Sequence, residues 1–155
     1  MDEKKRYNSA IRRMEMSDIR DVAELERLCF SSPWSEKLLA ELPKSRLDTC
    51  FLLDQGEGKG TAAYGILRIL AGEGEIQRIG VLPSERKKGL GSKVMEAMTE
   101  YAREMGAECI LLEVRESNTA ARKLYKSWGF EEEGRRKNYY DNPSEDAVLM
   151  GLRCI

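Results

Sequence analysis

The chain contains no histidine. That removes every serine–histidine or cysteine–histidine nucleophilic dyad, together with the commonest ligand of a catalytic metal. No metal is expected, and proton movement falls to Glu, Asp, Tyr, Lys, Cys or bound water. Cysteine is sparse: Cys29, Cys50, Cys109 and Cys154 form no CxxC pair. Three of them lie in apolar periodic segments, so they read as free thiols of a reducing, cytoplasmic compartment. A dominant charge is missing too. Lys plus Arg number 26 against 27 Asp plus Glu, and a formal net charge of -1 gives no global field for nucleic acid or an anionic membrane. No stretch approaches the roughly 18 apolar residues of a membrane span, and the charged opening Met1–Arg6 lacks the apolar core of a signal peptide. GxGxxG and GxxxxGK[ST] are both absent, which argues against a dinucleotide fold or a P-loop.

What is present suits one soluble domain. The 155 residues are 41% hydrophobic and 34% charged, enough for a real core. Residues 1–9 read as a loose tail and 10–155 as a single domain, expected to be a monomer or weak dimer. Ala10 to Met14 reads as a first strand, and Ser17 as the cap of a helix carrying Ile19, Val22, Leu25, Leu28 and Cys29 at helical spacing. After the break at Phe30–Ser35, Ser32 with Pro33 reads as the start of a second helix that stops before Pro43. Thr49 to Asp54 and Thr61 to Leu70 form a hairpin, and Ile76 to Leu82 follows as a third antiparallel strand. A long helix begins at Leu90, with Val94, Met98, Tyr101 and Met105 on one face and Gly106 at its end. Cys109 to Val114 is a buried strand, parallel to Ile76–Leu82 because a helix joins the two. A short helix over Asn118–Ser127, a further strand after Phe130 and a last hairpin around 141–144 complete the order β-α-α-β-β-β-α-β-α-β-β. The expected fold is α/β: a mixed sheet of about seven strands, with helices on both faces.

The chain is organised around Ile76–Ser92. Pro83 ends the strand, and Gly89 and Gly91 open the long helix. The first amides of a helix lack internal partners and sit at the positive end of its dipole, so loop and helix start make an anion site, to which Arg86, Lys87 and Lys88 add charge. The alternative is a plain turn with a solvated basic run. The spacing Arg86-x-x-Gly89-x-Gly91 after a strand resembles the acyl-coenzyme-A loop of the Gcn5-related N-acetyltransferases (GNAT), in which loop amides hold the pyrophosphate.

Amine acetylation needs a neutral amine, a stabilised thioester oxygen and a proton for the leaving thiolate. Glu113 shares a strand face with Cys109 and Leu111; a carboxylate that loses hydration becomes a better base. The competing reading is an ion pair with Arg115, two residues on and on the same face. Tyr125 shares a helix face with Asn118, and a phenol of reference pKa about 10 can protonate a thiolate near 8.5. It reads equally as a core tyrosine, Asn118 as a plain helix cap, and Trp34 as a packing residue rather than a pocket wall. A backbone amide near Val81, in a bulged strand, is the candidate oxyanion donor.

The segments Phe30–Glu36, Leu112–Asn118, Leu124–Phe130, Arg136–Tyr140 and Glu145–Ala147 are similar to the RimI family. These are bacterial N-acetyltransferases acting on the N-terminal alanine of small-subunit ribosomal protein eighteen, and the likeness spans roughly residues 10 to 152. It implies acetyl-coenzyme A as co-substrate and a ribosomal-protein N-terminus as partner. Glu113 then matches the proton acceptor and Tyr125 the proton donor. Ile79, Gly80 and Val81 match the strand that binds the pantetheine arm. Lys87, Lys88, Gly89, Leu90, Gly91 and Ser92 match the pyrophosphate loop, and Asn118 a further cofactor contact. Tyr139 and Tyr140, with the loop around Trp34, match the peptide site. The basic Arg86-Lys87-Lys88 run departs from the glutamine-containing loops common in the family. Other acceptors (lysine, polyamine, aminoglycoside) and a non-catalytic acetyl-coenzyme-A-binding domain are the alternatives.

Overall fold

The structure is a computed structural model that describes residues 11–56, 58–153 and 155. The expected tail over 1–9 and Cys154 lie outside the described residues. Strand β1 (Ile11–Arg13) leads through a 3-10 turn (Met16–Asp18) into helix α1 (Ile19–Cys29) and a short helix α2 (Glu36–Ala40). Strands β2 (Asp48–Asp54), β3 (Thr61–Leu70) and β4 (Glu73–Val81) follow, then helix α3 (Leu90–Glu104), strand β5 (Cys109–Arg115) and helix α4 (Thr119–Ser127). Strands β6 (Glu131–Tyr140) and β7 (Glu145–Arg153) end the fold. The seven-stranded sheet has the order β1-β2-β3-β4-β5-β7-β6 and is antiparallel except where β4 meets β5. Among the described residues no helix is long and apolar enough to cross a membrane.

Both sheet faces are covered, which is why β2 and β3 read as nearly unbroken apolar runs. On β2, Phe51 and Leu53 pack under α3 with Val94, Met95 and Met98. Cys50 and Leu52 point the other way, into a second core with Val22, Leu25 and Leu39 of α1 and α2. Each such Leu or Val contributes roughly 1.5–3 kcal/mol over its exposed state. The outer strand β6 is exposed for most of its length, and its Glu131–Glu133 and Arg135–Lys137 charges disfavour pairing with another sheet edge.

Two helix starts differ from the sequence reading. Ser17 falls inside the 3-10 turn, and Asp18 closes it instead: its carboxylate accepts the Glu15 amide at 2.8 Å and both terminal nitrogens of Arg12 at 2.8 Å. The second helix is capped by Ser35, whose Oγ accepts the Leu38 amide at 3.1 Å, rather than by Ser32. The physical reason is that the 32–34 backbone is held elsewhere. Arg78 takes the Ser32 carbonyl at 2.8 Å, and buried Glu26 takes the Trp34 amide at 2.7 Å.

The feature that positions the site is the short contact between β4 and β5. Their parallel pairing runs only from Glu73↔Cys109 to Ile76↔Leu112. At that point β4 carries a bulge against β3, where Ile66 pairs with Arg78 and Leu67 with Ile76, leaving Gln77 over. An extra residue bends its strand and raises the local twist. Beyond it β4 keeps β3 as its partner and β5 keeps β7, and a gap opens between them at the carboxyl ends of both strands.

Candidate active site

Glu113 lies on β5 one residue beyond the last β4 pairing. Arg115, its partner in the competing ion-pair reading, is committed elsewhere: to the carbonyls of Asp141 at 2.6 Å and Pro143 at 2.9 Å, and to Glu145 at 3.3 Å. The hairpin after Tyr140 reaches the end of β5 and supplies these acceptors, whose distance in sequence hides them from a local pattern. Glu113 pairs instead with Arg136 of β6, Nε to Oε1 at 3.3 Å, and its carboxylate is one-quarter exposed. The Tyr139 hydroxyl lies within reach of it, and Glu113, with burial second, pushes the Tyr139 pKa up. Glu75, on the same face of the neighbouring strand, is pushed up chiefly by burial and next by the Glu113 charge.

Tyr140 connects the two proposed proton carriers. It is half-buried, and burial first, with Glu113 second, raises its pKa to about 12. The fully enclosed Tyr125 is raised further, by burial and then by Tyr140. Tyr140 therefore lies within electrostatic reach of both Glu113 and Tyr125. The Tyr125 ring packs at 5.8 Å from Phe130 in the core, as the core-aromatic reading of this residue expected. Tyr139 and Tyr140 stack edge to face at 5.0 Å.

The putting together of Ile79, Gly80 and Val81 with the glycine loop follows from packing. A Cβ on Gly80 would stand 2.6 Å from Cε1 of buried Tyr64, so glycine is required there by the ring behind the strand. Gly89 is left-handed (φ +78) with open space where a Cβ would point, and it starts α3 without a side-chain cap. Gly91 lies against both Leu124 of α4 and Val81 of β4, at 3.1 and 3.9 Å from a built Cβ. Asn118 caps α4, accepting the Ala121 amide at 3.2 Å. The loop, the β4 end and Leu124 of α4 thus pack together, with Leu90 buried and Ser92 in the first turn of α3. Arg86 folds back on it, Nε to the Val81 carbonyl at 3.2 Å; Lys88 pairs with Glu85 at 2.9 Å, and Lys87 takes a left-handed backbone (φ 66). Among the described residues this end of β4 has no strand partner on the β5 side, its Val81 carbonyl being taken by Arg86 and the Cys29 thiol, and beside the helix amides and the open space at Gly89 it fits a pantetheine arm and its pyrophosphate.

Trp34 borders a cleft of about 340 Å³ that the bulge residue Gln77, Leu38 and Arg68 also line. A second cleft of about 360 Å³, beside Arg13, Arg46 and Tyr101, touches none of the candidate residues. Sequence reasoning missed a buried group behind Trp34. Glu26, with no exposed surface, accepts the Tyr64 hydroxyl and the Trp34 amide and pairs with Arg78 at 3.3 Å. Its signal was present: Glu26 stands four residues after Val22, on the apolar face of α1. Burial, reinforced by the Glu26 charge, pushes the Tyr64 phenol far up. Arg78 lies over the Phe30 ring at 4.1 Å and the Trp34 ring at 5.5 Å.

Comparison with known proteins agrees with this architecture. The Acetyltransferase (GNAT) family matches residues 19–130. The [ribosomal protein bS18]-alanine N-acetyltransferase of Escherichia coli (strain K12) is 33% identical over 146 residues, 93% of this chain and 97% of that protein. The crystal structure of the ribosomal-protein-S18-alanine N-acetyltransferase from Escherichia coli superposes with a TM-score of 0.83 at 33% identity, over 93% of this chain and 92% of that one. Arabidopsis thaliana NAA60, solved with acetyl-CoA, shares the fold at a TM-score of 0.83 and 15% identity, over 92% of this chain and 97% of that one. The chain is an acyltransferase of the GNAT family, and within it belongs with the RimI-type alanine N-acetyltransferases.

Proposed function

We propose that this enzyme acetylates the N-terminal alanine of ribosomal protein bS18, or of a ribosomal protein with the same N-terminus, in the cytoplasm, by direct transfer within a ternary complex. The observation that carries the reading is Glu113 on β5, held by Arg136, one residue beyond the point where β4 and β5 part. Acetyl-coenzyme A, when bound, supplies the acetyl thioester. Ile79, Gly80 and Val81 offer a strand edge that β5 does not cover for its pantetheine arm. Residues 86–92 offer helix amides and local charge for its pyrophosphate, and Asn118 a further polar contact.

Glu113 takes the proton that the α-amine gives up as its nitrogen bonds to the acetyl carbon. Tyr139 and Arg136 hold that carboxylate in place. Tyr125 donates its hydroxyl proton to the sulfur as the carbon–sulfur bond breaks. This phenol is protonated at neutral pH even at its reference pKa of about 10, as a donor requires, and burial raises it further and makes it a weaker acid. An amide near Val81 faces the oxygen that gains charge. Tyr139, Tyr140 and Trp34 line the approach of the peptide. The acceptor chemistry suits a single carboxylate: near pH 7.5 roughly a third of peptide α-amines are neutral, against about a thousandth of lysines.

The test is acetyl transfer to two short peptides, one with a free N-terminal alanine and one N-terminally blocked with an internal lysine. Transfer confined to the free alanine supports the reading. Transfer to the blocked lysine peptide assigns a lysine acceptor, and transfer to neither peptide overturns the substrate assignment.

A further inference from the structure

We propose that Arg78 and Arg115 are positioning residues that strap the 30–35 loop across the gap between β4 and β5, and that this strap limits the size of the first side chain the site accepts. The inference rests on the peptide reading above. The two strands part after Ile76 and Leu112. Arg78 stands two residues further along β4, and its Nη2 donates to the Ser32 carbonyl at 2.8 Å. Arg115 stands three residues further along β5, and its Nη2 donates to Ser31 Oγ at 3.3 Å. Consecutive loop residues are therefore tied to opposite sides of the opening.

Both anchors are themselves fixed. Arg78 is 17% exposed in its side chain, stacked on Phe30 and paired with buried Glu26, which also holds the Trp34 amide. Arg115 lies 4.5 Å over the Tyr140 ring and is tied to Asp141, Pro143 and Glu145 of the closing hairpin. A long first side chain entering beside Tyr140 requires the loop to rise. Rising breaks charge-assisted hydrogen bonds on one side of the gap or the other. An alanine methyl needs no such movement. Neither guanidinium is required to move a proton, so the effect falls on discrimination between substrates rather than on transfer itself.

The experiment compares kcat/KM for peptides that differ only in a first residue of Ala or Leu, in wild type, Arg78→Gln, Arg115→Gln and Ser31→Ala, with the melting temperature and acetyl-coenzyme A affinity of each variant recorded. The Leu-to-Ala ratio is expected to rise about ten-fold in each arginine variant, the scale of a methylene or more in a confined pocket. Ser31→Ala deletes one exposed hydroxyl and leaves the core untouched, so it keeps the test valid if an arginine variant does not fold; a rise of about three-fold is expected there. A purely structural role lowers both peptides together, and an unchanged ratio in folded variants overturns the strap. So does a wild type that accepts Leu as readily as Ala. A wild type that acetylates no free α-amine overturns the function proposed above and this inference with it, which separates that failure from failure of the strap alone.

Discussion

Gly80→Ala tests whether the cofactor edge of β4 is set by the ring behind it. The added Cβ stands 2.6 Å from Tyr64 Cε1 and 3.2 Å from both its Cζ and its hydroxyl oxygen. The ring cannot swing aside, because Tyr64 has no exposed surface and its hydroxyl is held by Glu26. Overpacking of this kind costs about 1–3 kcal/mol. In a domain of this size that lowers the melting temperature by roughly 2–12 °C. The strand must also move outward, so the KM for acetyl-coenzyme A should rise along with the loss of stability. Gly89→Ala is the contrast: nothing stands within 4 Å of its Cβ, but φ is +78. Its cost is conformational, about 1–2 kcal/mol, and Gly89→Asn should recover part of it because asparagine tolerates that backbone. Equilibrium denaturation with acetyl-coenzyme A titration reads all three variants. A Gly80→Ala protein with wild-type stability and wild-type KM would refute the reasoning.

Three further outcomes follow from the same geometry. Tyr125→Phe keeps the ring packed on Phe130 and removes only the hydroxyl, so kcat should fall about 10²-fold with the melting temperature nearly unchanged. Tyr139→Phe removes the hydroxyl within reach of Glu113, and kcat/KM for the peptide should fall up to about ten-fold, with the KM for acetyl-coenzyme A unaffected. Asp18 has its pKa lowered, chiefly by the hydrogen bonds from Arg12. A depressed carboxylate contributes stability that is present above its unfolded pKa of about 3.9 and is lost as pH falls through the lower folded value. Asp18→Asn should therefore flatten the loss of stability below about pH 4, measured by denaturant midpoints across that range.

The order of elements was legible because each had a clean period. The α1 apolar set recurs every three or four residues, α3 likewise, and β5 alternates Ile110, Leu112 and Val114 into the core under α3. The parallel β4–β5 pairing followed from the helix between them. Short-range polar choices were less legible. Ser32 and Ser35 both carry cap chemistry, and the choice between them depended on Arg78 and Glu26, 46 and 8 residues from their loop partners. The competing reading of Glu113, an ion pair with Arg115, fails for the same reason: Arg115 is near in sequence, but the closing hairpin claims it and Arg136 takes its place. A bulge was expected in the strand that carries Val81, without a position; it lies at Gln77, where the gap begins, and no local residue pattern marks it. Of the site itself, the glycine loop and the Leu-Glu-Val-Arg strand stood out, while the buried Glu26–Tyr64–Arg78 group did not, since its members are joined only by the fold.

The central claim is that Glu113 accepts the amine proton at a site where acetyl-coenzyme A binds independently of it. The most direct measurement is kcat/KM of Glu113→Gln for a free N-terminal alanine peptide near pH 7.5, with acetyl-coenzyme A affinity measured on the same protein by calorimetry. The account expects a loss of about 10²–10⁴-fold in transfer with cofactor affinity retained. Transfer at the wild-type rate, or a loss that merely tracks weakened cofactor binding, would contradict it.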